Sequence, residues 1–160
     1  MSASNSPTRP SSSKFLAALQ ALGCNVTQQS QSTRIEFRYQ GGYYLAFPSK
    51  AGDVLCVMYP AFLEVANFAN AEDANTAIHE LNAGVAIARI FILEGDLCAS
   101  AETLVSDEMD IEQLFVKLIG LIQNICIQMR VKRELSVSTA VTADRSENAS
   151  ASVVSGMALH

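Results

Sequence analysis

Histidine, basic charge and glycine-rich loops are all in short supply here, and each shortage closes off a class of function. There are two histidines among 160 residues. His160 is the last residue, so His79 alone is left for internal acid–base or metal chemistry. It stands beside Glu80 on the polar side of an expected helix, and its i+4 neighbour is Ala83. The paired ligands of a helical zinc site are therefore missing. Any Ser-His-Asp arrangement would have to use the same histidine. No glycine run has phosphate-cradling spacing; Gly41-Gly42 falls between two strand patterns, where a hairpin turn explains it. Asp107, Glu108, Asp110 and Glu112 lack the loop spacing and glycine of a calcium loop, and the start of a helix accounts for them. The expectation is a non-enzyme with no catalytic residues, no metal and no cofactor.

Lysine and arginine number 11 against 16 acids, giving a net charge of -5 and a pI near 4.9. That balance tells against nucleic acid, which demands a local excess of cations. Arg130, Lys132 and Arg133 come nearest to a basic cluster, and cations suit the end of a helix. Phe37, Tyr39, Tyr43, Tyr44 and Phe47, with Arg34 and Arg38, could form a base-stacking sheet. Core packing explains the phenylalanines more simply. Cys24, Cys56, Cys98 and Cys126 lie far apart among apolar residues, so free thiols in a reducing compartment are expected. The opening "MSASNSPTRPSSSK" has no hydrophobic core and reads as no secretory signal. Asn25-Val26-Thr27 and Asn148-Ala149-Ser150 match the glycosylation pattern, which carries no meaning without secretion. No apolar run approaches the ~20 residues of a membrane span. A soluble cytoplasmic protein with no membrane or nucleic-acid partner is expected.

What the chain does have is apolar periodicity. Residues 1–12, rich in Ser and Pro, read as a disordered arm, and 13–133 as a single domain. Phe15, Leu16, Leu19 and Leu22 mark a short helix, capped near Ser12 or Ser13 and stopped by Gly23. In "TRIEFRY" Ile35, Phe37 and Tyr39 alternate with Arg34, Glu36 and Arg38, which predicts a strand with one wet face. Gly41-Gly42 supplies the positive φ of a turn, "YYLAF" returns to Pro48, and "VLCVMY" gives a third strand that ends at Pro60. Residues 60–70 fit no single period and read as an extension or bulge leading to an N-cap at Asn70. A helix over 71–81 follows, carrying Ala74, Ala77, Ile78 and Leu81 inward.

An Asn-Ala-Gly step at residues 82–84 then releases the run 85–93, and Glu94-Gly95-Asp96 separates it from a second run, 97–105. This predicts a hairpin whose first strand is apolar on both faces and hence central and covered on both sides. The last helix, about 108–130, has Asp107 as its expected N-cap and a stripe from Ile111 through Leu118 and Ile125 to Met129. Val116, Leu121 and Ile127 lie off that stripe. Residues 134–160 read as a flexible Ser/Ala-rich tail.

The order of elements, together with "NTAIHELNAGVAIARIFI" and its closing Asn82, resembles the YbjN-like family over about residues 13–130. That resemblance implies an α+β fold like that of type III secretion chaperones: an antiparallel five-stranded sheet in α-β-β-β-α-β-β-α order, often dimeric. The family is described as sensory-transduction regulators, and its chaperone relatives bind extended segments of partner proteins. No catalytic set comes with it, and Asn82 reads as a turn or cap residue. The functional expectation is a non-catalytic protein-binding or regulatory module, chaperone-like, with an unidentified protein or peptide partner. The alternative is a small-molecule-binding sensory domain with its pocket between sheet and helix. Homodimerisation is expected through the apolar excess on strand 85–94 and helix 108–130. The candidate interface is Ile90, Ile92, Val116, Leu121 and Ile127.

Overall fold

Helix α1 (Ser12–Ala21) ends where the sequence stops it. Gly23 has φ +73°, the Cys24 amide donates to the Leu19 carbonyl and the Gly23 amide to that of Gln20, each at 3.0 Å. Those paired bonds close a helix through a left-handed residue. The structure is a computed structural model that describes residues 12–28 and 32–155, with side chains described through residue 144. The arm expected over residues 1–12 therefore lies outside the described residues, apart from Ser12, which opens α1.

The turn at Gly23 delivers the chain straight into a strand that the periodicity did not show. Strand β1 (Asn25–Gln28) pairs antiparallel with β2 (Ile35–Tyr39), setting Val26 opposite Phe37. A four-residue strand with one apolar side chain has too little alternation to register as a pattern. The sheet consequently has six antiparallel strands in the order β1-β2-β3-β4-β6-β5, correcting the expected five.

Strands β2 and β3 (Gly42–Pro48) form a tight hairpin. The residues with positive φ are Gln40 (+48°) and Gly41 (+80°), a pair of left-handed residues as in a type I′ turn, not Gly41 and Gly42. Gly42 is needed for a different reason: a Cβ there would lie 2.5 Å from the Tyr44 ring, which covers it. Strand β4 (Val54–Glu64) runs on through Pro60 instead of ending there. Pro60 falls within a register shift between Tyr59 and Leu63, with Ala61 at φ +47°. A bulge frees that position from the ladder, so the missing amide costs no sheet hydrogen bond. A short 3-10 turn (Val65–Asn67) then leads to α2 (Ala71–Gly84). As expected, Asn70 caps α2: its side-chain oxygen accepts from the Asp73 amide at 2.8 Å.

Strand β5 (Ala88–Leu93) returns to β6 (Asp96–Leu104), which inserts beside β4. Strand β5 is therefore an edge strand, correcting the expectation that it is central. Its apolar character comes from having a helix on one face and an uncovered apolar sheet face on the other.

Helix α3 (Ile111–Ser155) begins one turn later than expected. Asp110 is the cap, accepting from the Gln113 amide at 3.1 Å. Asp107 is instead fully exposed, 3.8 Å from Lys14 Nζ. The helix also continues through much of the segment 134–160 read as a flexible tail, as far as Ser155; residues 156–160 lie outside the described ones. By length and composition, its stretch Ile111–Asp144 could cross a membrane, against the expectation of no such run. One side of that stretch, including Phe115, Ile119, Ile122, Ile125 and Met129, is buried in the domain, while Val116, Ile127, Val131 and Leu135 on the other side are exposed.

The three helices cover one face of the sheet. Alternate strand residues point to them: Ile35, Phe37, Tyr44, Ala46, Leu55, Val57, Ala88, Ile90, Leu97, Ala99 and Ala101 are all buried. Alanines on β3, β5 and β6 leave room for the large side chains of α3. Phe115 makes edge contacts with Phe15 at 6.3 Å and Phe37 at 5.7 Å, so one ring of α3 ties α1 to β2.

Candidate functional site

The opposite sheet face carries no helix, and it divides in two. Near β2 it is polar: Arg34 pairs with Glu36 at 2.6 Å, the Tyr43 hydroxyl donates to Glu36 at 2.8 Å, and Arg38 lies 5.8 Å from the Tyr43 ring. The Glu36 bond, followed by desolvation, holds the Tyr43 hydroxyl above its ordinary pKa. Toward β4 and β6 the same face is mixed, with Glu102 beside Cys56 and Ser100 beside Met58 among apolar neighbours. Register sets Leu45 beside Met58, Phe47 beside Cys56 and Val54 beside Leu104. Phe47 and Leu93 are exposed, and Leu104 is 72% exposed. At one place the bulge of β4 reaches this face, where the Ala61 amide donates to Cys98 Sγ at 3.4 Å and Cys98 is buried.

A second uncovered apolar surface runs along the outer side of α3. Val116 is exposed, as are Ile127 (59%), Val131 (54%) and Leu135 (59%), the last three at i, i+4, i+8 and hence on one side of the helix. They lie opposite the buried stripe of Leu118, Ile122, Ile125 and Met129. Further along, Ser136 bonds the Ala69 amide and the Asp73 carboxylate, and Lys132 pairs with Glu80. Beyond these contacts with α2 and the loop before it, every side chain from Ser138 to Asp144 is exposed. The helix stands off the domain there.

The structure separates the five expected interface residues. Ile92, Val116 and Ile127 are exposed, Leu121 is half-buried against the core, and Ile90 is 1% exposed. Ile90 therefore offers no surface, correcting its place in the set. Its neighbour Asn82 explains why it is fixed: the Asn82 amide donates to the Ile90 carbonyl and its oxygen accepts from the Ile90 amide, both at 2.8 Å. Asn82 is thus not a turn residue but a clamp on the free edge of β5. Sequence reasoning missed Val131 and Leu135, having ended the helix stripe near residue 130, although their i+4 spacing from Ile127 was there to read. It also missed Phe47, Leu93 and Leu104 as a surface, because strand alternation does not reveal which face the helices will cover.

The groups that could do chemistry lie scattered. His79 is exposed on α2, and among the described residues no three His, Cys, Asp or Glu side chains gather as metal ligands. Burial pushes the Cys126 thiol up to about 12 and raises those of Cys24 and Cys56. Thiols held protonated in this way are poor nucleophiles at neutral pH.

No family model matches the chain, and no curated protein matches it. What fold and surfaces define is a two-layer α+β domain with apolar ground left on both of its outer sides.

Proposed function

We propose that this chain is a non-catalytic protein-binding module of the YbjN-like, chaperone-like kind, working in the cytoplasm as a homodimer. One observation carries the reading: after the helices have covered one sheet face, large aliphatic side chains remain exposed on the outside of both layers. Large apolar side chains grouped along one side of a helix or at one corner of a sheet are candidates for cover by another macromolecule. The outer stripe of α3 serves the dimer. A helix that leaves its domain is marginal in water unless it packs on something, and a second α3 supplies the same need in return. A specific contact of this kind buries about 800 Å² per partner. The corner of the open sheet face formed by Phe47, Cys56, Val54 and Leu104, bordered by Glu102, serves a partner polypeptide.

Native mass spectrometry of gently purified protein tests this. The wild type should retain a polypeptide in stoichiometric amount, and Leu104→Asp should lose it while remaining folded, because Leu104 is exposed in the free chain. A wild type that carries no polypeptide, or a variant that retains it equally, would overturn the sheet face as the docking surface. The alternative reading, a small-molecule-binding sensory domain, has one observation in its favour: a cleft between the β2–β3 turn and α3.

A further inference from the structure

The cleft measures ≈ 370 Å³ and is bounded by the hairpin residues Gln40 and Gly41 and by Gln123, Ile127 and Arg130 of α3. Such a volume is at the small end for organic ligands. Gln123, Ile127 and Arg130 follow one another at i, i+4, i+7, so one side of the helix forms one wall. Tyr59 is the partly exposed ring in the lining, and the buried Tyr44, 1% exposed, packs beside it with ring centroids 5.1 Å apart. Tyr44 is held in place from two directions. Its ring lies over Gly42, where any Cβ would collide with it, and its hydroxyl accepts from Gln123 Nε2 at 3.1 Å. That bond uses the oxygen as acceptor, so the phenolic proton is free for a further acceptor.

Charge narrows the ligand class. Among the described residues that line the cleft, Arg130 is the cation and no carboxylate is present, in a chain of net charge -5. Lys14, Arg34, Lys132 and Arg133 each have a carboxylate partner. Arg130, an exposed residue, takes part in none of the ion pairs among the described residues. The same is true of Arg38, Arg89 and Lys117, but Arg130 alone of these lines the cleft. A guanidinium with no carboxylate partner among the described residues, beside the partly exposed Tyr59 ring, suits a carboxylate on a planar apolar body.

We infer that this cleft binds a small aromatic carboxylate, with its carboxylate on Arg130 and its ring between Tyr59 and Ile127. The inference rests on the small-molecule reading of this cleft. It is separate from docking on the sheet face, since neither Phe47 nor Leu104 borders the cleft, but it shares Ile127 with the α3 stripe assigned to the dimer. Titrating the full chain with benzoate, and separately with uncharged benzamide, tests it by amide NMR. Benzoate should shift the Gln40, Gly41, Gln123 and Arg130 signals saturably, and benzamide should bind about tenfold more weakly or worse, the loss of one charge-assisted hydrogen bond. Arg130→Gln should weaken benzoate by a similar factor with the thermal midpoint unchanged. Should that midpoint move, Arg130→Lys keeps the charge but loses the planar fork, and weaker benzoate binding is again expected. Absence of saturable shifts at the cleft, equal binding of benzamide, or undiminished benzoate binding by the variant that keeps its midpoint would overturn the inference.

Discussion

The carboxamide of Asn82 pairs with both main-chain groups of Ile90 and stands in for the strand that β5 lacks on its outer side. An open strand edge is a template for unwanted pairing, and covering it is one way to protect it. Asparagine suits the position because a single planar group carries a donor and an acceptor. Alanine would leave the Ile90 amide and carbonyl partly buried without partners. Asn82→Ala is therefore expected to lose about 1–3 kcal/mol of stability, measured by urea unfolding. Asn82→Asp should not restore it, since a carboxylate can accept from the Ile90 amide but opposes the Ile90 carbonyl. A neutral result for both would show that the clamp holds nothing. At this scale the sequence was legible where chemistry is local. Asn70 and Gly23 were readable because a cap or a left-handed turn depends on neighbours a few residues away. Asn82 was visible as a residue of note, but its role depends on a strand eight residues on, and no local rule supplies that partner.

Among the elements, those with many apolar repeats were readable and those shaped by their neighbours were not. The buried stripes of α1, α2 and α3 follow from 3.6-residue spacing alone. Strand β1 does not, because pairing with β2 creates it. Strand β4 passes Pro60 because a bulge takes up the missing donor. The edge position of β5 follows from β6 inserting next to β4, a choice of topology that apolar content does not encode. The start of α3 shows a finer competition. Both Asp107 and Asp110 are competent caps, and the helix takes the one immediately before Ile111, its first inward-leaning residue. Asp110→Ala should then cost about 1 kcal/mol, whereas Asp107→Ala should change the urea midpoint little, since its carboxylate is exposed and its contact with Lys14 is loose. The reverse ranking would place the true start of the helix a turn earlier.

For the molecule as a whole, a two-layer arrangement buries one face of the sheet and one side of α3, and nothing within the described chain covers the other two. The sequence showed the apolar excess on the last helix, since Val116, Leu121 and Ile127 lay off its main stripe. It could not show that Leu121 would be drawn into the core, or that the helix would continue past the domain and extend the exposed stripe to Val131 and Leu135. These two side chains give the most direct test of self-association, because both are already exposed and a charge there leaves the monomer's core intact. In a packed interface the same charge is costly. Sedimentation velocity over a concentration series, on wild type and on Val131→Asp/Leu135→Asp with circular dichroism as a check on folding, makes the comparison. The expected result is a wild-type dimer and a folded, monomeric variant. A wild type that stays monomeric at high micromolar concentration, or a folded variant that remains dimeric, would contradict the assignment of α3's outer stripe to the dimer.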